Sequence, residues 1–187
     1  MFEFRPALTL LLFTLIGGLL PAQDDAETLI AMARKQEAEA RGKSQEDRQI
    51  CLEDALKTYR SVLTRFPADS AVCQRAWYEV GSLERRLGRI DAAREAYESA
   101  LGKEGPDRIA TRALDGLASI HRRQKSLEQA EGCLKRIVAD YPSEPRAQAE
   151  ARLDLMRLYR ASKRFREAIQ VGEEIIREHP SIWRVNV

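Results

Sequence analysis

Between residues 70 and 180 apolar positions recur every three or four residues, and each run ends in a short polar break. Trp77, Val80, Gly81 and Leu83 form one stripe. Leu114, Leu117, Ala118 and Ile120 repeat it, and Leu155, Met156, Leu158 and Tyr159 repeat it again. This spacing gathers the residues on one face of an amphipathic helix. It predicts helices over about 70–87, 107–124 and 145–162. The breaks that follow are Leu87-Gly88-Arg89, Lys125-Ser126 and Ser162-Lys163-Arg164. Gly88 suits a helix end in the left-handed conformation, and Ser126 with Gln129 has the form of a capping box.

A second amphipathic segment follows each break, and these segments share a register. Leu52-Glu53-Asp54-Ala55 leads to Tyr59, Val62 and Phe66-Pro67, and Ile90-Asp91-Ala92-Ala93 leads to Tyr97, Ala100 and Leu101. Leu127-Glu128-Gln129-Ala130 leads to Leu134, Ile137 and Tyr141-Pro142, and Phe165-Arg166-Glu167-Ala168 leads to Val171, Ile175 and His179-Pro180. The alanines Ala55, Ala93, Ala130 and Ala168 are 38, 37 and 38 residues apart. Pro67, Pro142 and Pro180 each fall twelve residues after their alanine, and Gly105-Pro106 takes that place in the remaining unit. Each unit therefore reads as helix, tight turn, helix, loop. Alanine lets the two helices of a unit approach closely. Trp77, Tyr97, Leu134 and Leu155 are expected to fill the space between units. No such unit buries its core alone, so stability comes from stacking.

The pattern resembles the tetratricopeptide repeat, W-x2-L-G-x2-Y…A-x3-F…P. Trp77-x2-Val80-Gly81 and Ala93-x3-Tyr97 carry the resemblance, while Glu84 stands where an aromatic is expected and Gly172 where a large apolar residue is expected. The units exceed the usual ~34 residues, and longer units of this kind resemble those of exported bacterial proteins of the cell envelope. The resemblance runs from Asp24 to Pro180. It implies an all-α fold, a right-handed superhelical α-solenoid of helix-turn-helix repeats whose first helices line a concave surface. The implied units are a degenerate N-terminal repeat at 24–67, repeats at 70–105, 107–142 and 145–180, and a tail at 181–187. The degenerate unit carries Leu29, Met32 and Ala33, breaks at Arg41–Ser44 and begins its second helix near Gln45.

Composition narrows the function. Hydrophobic residues at 44% and charged residues at 32% fit a folded chain with a large solvated surface rather than a disordered one. A net charge of +2 gives no ground for a nucleic-acid partner. Residues 1–22 have the layout of a secretory signal peptide: Arg5, an apolar run from Ala7 to Leu20, then Leu20-Pro21-Ala22. The run falls short of the ~20 apolar residues of a bilayer span. The expectation is an exported protein, periplasmic or extracellular, with no membrane span after cleavage. An uncleaved anchor and a buried core helix are the rival readings.

Chemistry-bearing motifs are missing from the pattern. Cys51, Cys73 and Cys133 lack zinc-site spacing and read as small buried hydrophobes. His121 falls where the family pattern has its second aromatic, and His179 sits at a helix end, where the macrodipole favours a cation. No Gly-rich phosphate loop, H-E-x-x-H or G-x-S-x-G occurs. The expectation is no catalytic residue, no cofactor and no metal. It is a non-enzymatic scaffold binding a partner protein or peptide. The alternatives are a structural or self-associating module, or an accessory binder of an anionic polymer. The apolar tail Ile182, Trp183, Val185 and Val187 could fold back over Ile169 and Ile176. Otherwise that face binds a partner, or the chain is a fragment.

A candidate ligand groove comes from aligning the first helices. Arg75 aligns with Arg112 and Glu150, Arg85 with Arg122 and Arg160, and Ser82 and Ser119 with Arg157. With Tyr78 these give the candidates Arg75, Tyr78, Arg85, Arg112, Arg122, Arg157 and Arg160. Guanidinium groups suit bidentate capture of carboxylate or phosphate, so a basic ladder for an acidic partner is expected. Arg85, Arg122 and Arg160 also lie in last turns, where solvated arginines need no ligand.

Overall fold

The computed structural model describes residues 25–178. The signal-like run, His179-Pro180 and the apolar tail lie outside the described residues. Eight helices fill the described residues: α1 Ala26–Glu39, α2 Gln45–Arg65, α3 Ser70–Arg86, α4 Ile90–Leu101, α5 Asp107–Arg123, α6 Leu127–Asp140, α7 Pro145–Ala161 and α8 Phe165–Glu178. They form an α-solenoid of four helical hairpins. α1 packs on α2, α3 on α4, α5 on α6 and α7 on α8, and each second helix then packs on the next first helix. First helices α3 and α5 also touch, as do α5 and α7, and among the described residues no two second helices make a comparable contact. In a curved stack the layer with the closer neighbours is the inner one, so the first helices line the concave side.

Three of these helices start on identifiable chemistry. Asp25, Ser44 and Asp69 accept bonds from the backbone N–H groups of Thr28, Asp47 and Val72, capping α1, α2 and α3. Ser126 departs from the capping-box expectation, because its side chain makes no cap bond. The physical reason is the tight turn: ψ at Ser126 is 70°, below the 168°, 164° and 97° of the capping residues Asp25, Ser44 and Asp69. The turn needs one left-handed residue per hairpin. Gly88 supplies it at φ 79°, and Lys125 and Lys163 occupy the equivalent positions at φ 60° and 59°.

The core is built from the aligned small residues. Ala55, Ala93 and Ala130 are fully buried and Ala168 nearly so. Around them, three pairs sixteen residues apart exchange volume between the helices of a hairpin. Gly81 lies against the Tyr97 ring, Ala118 shares a cluster with Leu134, and Met156 reaches toward Gly172. As the first-helix residue grows from Gly to Ala to Met, its second-helix partner shrinks from Tyr to Leu to Gly. This accounts for Gly172, which departs from the family pattern because Met156 already fills its space. Tyr97 is wedged on its other side by Gly116 of α5, so one ring joins two units.

Some sequence expectations are corrected. Met32 faces solvent, and Ile30 takes the buried place, because the α1 stripe runs through Leu29, Ile30 and Ala33. Cys73 is buried, but Cys51 and Cys133 are only half-buried. Cys51 accepts a hydrogen bond from Lys43 across the α1–α2 turn. Glu84, at an expected aromatic position, is almost wholly buried as a carboxylate. It is held by Arg60 at 2.6 Å and Arg89 at 3.4 Å, and Arg89 also binds Glu53. A pair of arginines thus replaces aromatic packing at the α2–α3 joint. Arg152, at the Trp77 position of the last hairpin, is likewise buried, with Glu178 at 2.6 Å.

Candidate ligand groove

The concave side is laid out by three first-helix joints. At α1–α3, Arg75 binds both oxygens of Glu27 at 2.8 and 3.0 Å, Arg86 binds Glu37 at 2.6 Å, and Arg34 lies 3.9 Å from Glu79. The buried Tyr59 donates its hydroxyl to Glu37 at 3.1 Å from behind. At α3–α5, the Arg112 guanidinium sits 4.6 Å from the centre of the Tyr78 ring, a cation–π contact, and Tyr78 is 5.9 Å from Tyr97. At α5–α7, Asp154 forms an ion pair with Arg122 at 3.1 Å and accepts from Arg157 at 2.8 Å.

The seven candidates therefore divide. Arg75, Arg122 and Arg157 are bridged to carboxylates. Arg112 rests on Tyr78. Arg85 is half-buried beside Tyr97 and Ser82, and its Nε has no hydrogen-bond partner among the described residues. Arg160 is exposed and makes no ion pair among the described residues. The ladder carries mixed charge rather than bare arginine. Its acids, Glu27, Glu37, Glu79, Asp115 and Asp154, were missed by aligning arginines alone. A local signal was present: Glu79 follows Arg75 by four residues, Asp115 follows Arg112 by three, and Asp154 precedes Arg157 by three. At those spacings side chains share a helix face.

Electrostatics sets two of these acids apart. Burial pushes the Glu79 carboxyl up and the neighbouring Glu37 adds to it, against Arg112, Arg34 and Arg75, which pull it down. Loss of surrounding water likewise raises Asp115, with Asp154 adding to it and Arg122 opposing. Asp115 is exposed as a residue but stands between two helices of a concave wall. Its carboxylate is visible to solvent and still poorly hydrated. It makes no ion pair within 4.0 Å among the described residues. Both acids are held at a cost in solvation, which is a common mark of binding surfaces. Burial also raises the Tyr78 phenol, with Arg112 lowering it. Among the described residues no cluster of His, Cys, Asp and Glu could hold a metal ion, and no helix is long and apolar enough to cross a membrane.

The tetratricopeptide repeat model matches residues 52–109, 86–145 and 116–181, which together run over more than half of the chain. The chain belongs to the tetratricopeptide repeat family. No curated protein matches it. Tetratricopeptide arrays are in general protein-interaction scaffolds. In this tetratricopeptide array, the concave lane of Tyr78, Arg112 and the flanking ion pairs is the surface such a role would use.

Proposed function

We propose that this array is a non-enzymatic scaffold of the cell envelope that takes a segment of a partner protein along its concave lane. The observation that carries the reading is the joint between α3 and α5. There Tyr78 and Arg112 offer an aromatic face and a cation without a carboxylate partner among the described residues, between joints where the charges neutralise one another. Arg85 and Arg160 add cations without ion pairs among the described residues, so the segment is acidic where it meets them. Export rests on the layout of residues 1–22. The test is capture from an envelope extract by the full chain and by Tyr78→Ala/Arg112→Gln. A partner retained by the first and lost by the second, with equal helicity, supports the reading. Equal retention ends it. N-terminal sequencing of native material should give a start near Gln23, and an intact Met1 would remove the export part.

A second reading, self-association, has its own observation. Phe165, Ile169 and Ile176 are about half exposed or more and form one stripe on α8. On α6, which has α7 packed on it, the counterparts of Ile169 and Ile176 are the half-buried Glu131 and Val138. A second copy of this chain would cover the α8 stripe. Ile169→Glu should then shift the sedimentation coefficient from dimer to monomer, and a wild-type chain that is monomeric at all concentrations excludes it.

A further inference from the structure

Beside the concave lane, and sharing Arg85 with it, a cleft of about 690 Å³ opens where α3 turns into α4 and faces the end of α5. Its lining is Arg85, Arg86, Gly88, Ile90, Ile120, Arg123 and Gln124. Its size lies within the ~300–1,000 Å³ usual for ligand clefts. We infer that this cleft is a second binding site, which takes an internal acidic side chain of a peptide together with an adjacent apolar one. The inference rests on the scaffold reading for the class of ligand, and on the cleft alone for its location and chemistry.

Charge comes first. Three guanidinium groups line the cleft, and among the described residues no carboxylate does. Arg86 is neutralised by Glu37 from α1. Arg123 is exposed and makes no ion pair among the described residues, and the Nε of Arg85 is buried without a hydrogen-bond partner. An orphaned buried donor of this kind usually has an explanation in a missing partner. The ends of α3 and α5 oppose an anion, but a helix C-terminus carries only about half a negative charge. Their last carbonyls are also partly satisfied. Gly88 and Arg89 donate back to Arg85 and Glu84, and Lys125 and Ser126 donate back to Arg122 and His121. Two full guanidinium charges without carboxylates therefore outweigh the two helix ends. Asp115 acts on Arg85 from the lane side without closing an ion pair, and it does not line the cleft.

Shape supplies the second part. Ile90 and Ile120 form an apolar floor between the arginines, and Gly88 leaves the rim open, with nothing within 4 Å of where its Cβ would stand. A lone small anion would use the guanidinium groups and leave the floor wet. An acidic residue beside Leu, Ile or Phe uses both. Paired hydrogen bonds from guanidinium to carboxylate fix its direction.

The probe is a fluorescein-labelled pool of capped twelve-residue peptides, acetylated and amidated, drawn from Asp, Glu, Leu, Ile, Phe, Gly and Ser. A matched pool carries Asn and Gln in place of the acids. The full chain should bind the acidic pool and bind the amide pool at least tenfold more weakly. Arg123→Gln should weaken acidic-pool binding about tenfold and Arg85→Gln by at least as much, while Arg166→Gln on α8 leaves it unchanged. The exposed Arg123 keeps the test valid if the Arg85 variant loses helicity. Equal binding of the two pools, no binding of either, or unchanged binding by Arg123→Gln overturns the cleft assignment. A partner still lost with Tyr78→Ala/Arg112→Gln would then leave the concave-lane reading standing on its own.

Discussion

A glycine in a helix interior ordinarily costs about 0.5–1 kcal/mol relative to alanine. Gly81 and Gly172 face opposite consequences if that alanine is restored. A Cβ at Gly81 would stand 2.7 Å from the Tyr97 ring, and the ring cannot retreat toward Gly116 of α5, which lies so close that a Cβ there would stand 2.6 Å from it. A Cβ at Gly172 would meet only the Met156 sulfur at 3.7 Å, an ordinary contact. Gly81→Ala should therefore destabilise by about 1–3 kcal/mol through overpacking. Gly172→Ala should stabilise by about 0.5–1 kcal/mol. Urea midpoints at constant slope decide the matter, and a neutral Gly81→Ala would mean the ring is not wedged. Tyr97→Leu in the Gly81→Ala background should recover part of the loss, since the two sites are in contact. Gly172 was legible as a departure from the family pattern, but its cause lay in Met156, sixteen residues earlier on the other helix. Only comparing both members of each pair across the three hairpins exposes the trade. Glu84 was illegible for a related reason, because its partners Arg60 and Arg89 lie on two other segments.

Helix starts were readable from the apolar period and the turn residues. The first helices of the last three hairpins begin at Ser70, Asp107 and Pro145, where the pattern places them. The turns are less uniform than their shared geometry. Lys125 and Lys163 adopt the left-handed conformation that Gly88 adopts freely. That conformation costs a side-chain-bearing residue about 1–2 kcal/mol, against about 0.4–1 kcal/mol that glycine loses through its looser unfolded state. Lys125→Gly should thus raise stability by roughly 0.5 kcal/mol, and Gly88→Ala should lower it by about 1 kcal/mol, both read from thermal midpoints. Joints between hairpins depend on polar bonds that periodicity does not encode. Glu131 of α6 is the clearest case. Burial works against its charge, but bonds from Arg164, Lys135 and the Tyr159 hydroxyl outweigh it and hold its carboxyl at about 2. A lowered carboxyl stabilises the fold above its ordinary value of 4.5, and that contribution is lost as pH falls toward 2. Glu131→Gln should cost roughly 1–3 kcal/mol at neutral pH, at about 1.4 kcal/mol per pKa unit less the screening at half-exposed Arg164. The difference from wild type should close between about pH 5 and 2. A constant difference down to pH 2 would assign the bond a purely steric role.

At the scale of the whole molecule, stability in a stacked array is set by each hairpin and its two neighbours. A residue that loosens one joint therefore affects the array locally and remains tolerable. The concave lane uses that tolerance. Glu79 has only about 15% of its side chain exposed, faces Glu37 across the α1–α3 joint, and has Arg34 no nearer than 3.9 Å. Arg75 and Arg86, which could neutralise it, are committed to Glu27 and Glu37. Its carboxyl is raised above 4.5, so the fold is most favoured with Glu79 protonated. That contribution is fully present below the ordinary carboxylate value and is lost as pH rises through the higher folded value. At neutral pH the ionised Glu79 is thus a net burden on the α1–α3 joint. Glu79→Gln removes the charge and keeps the shape. It should raise the thermal midpoint at pH 7, and the gain should vanish below about pH 4, where wild type is itself protonated. The pH dependence separates this from a simple packing effect, which would persist at both values. Glu37→Gln is the control in the other direction, because its charge is matched by Arg86 at 2.6 Å and by the Tyr59 hydroxyl, and its loss should lower the midpoint at pH 7. A Glu79→Gln chain no more stable than wild type at pH 7 would show that water or Arg34 already satisfies the carboxylate. A stabilised chain that also loses its partner would tie the strain at Glu79 to binding, since an acid held against its solvation preference is relieved when a ligand brings the missing cation.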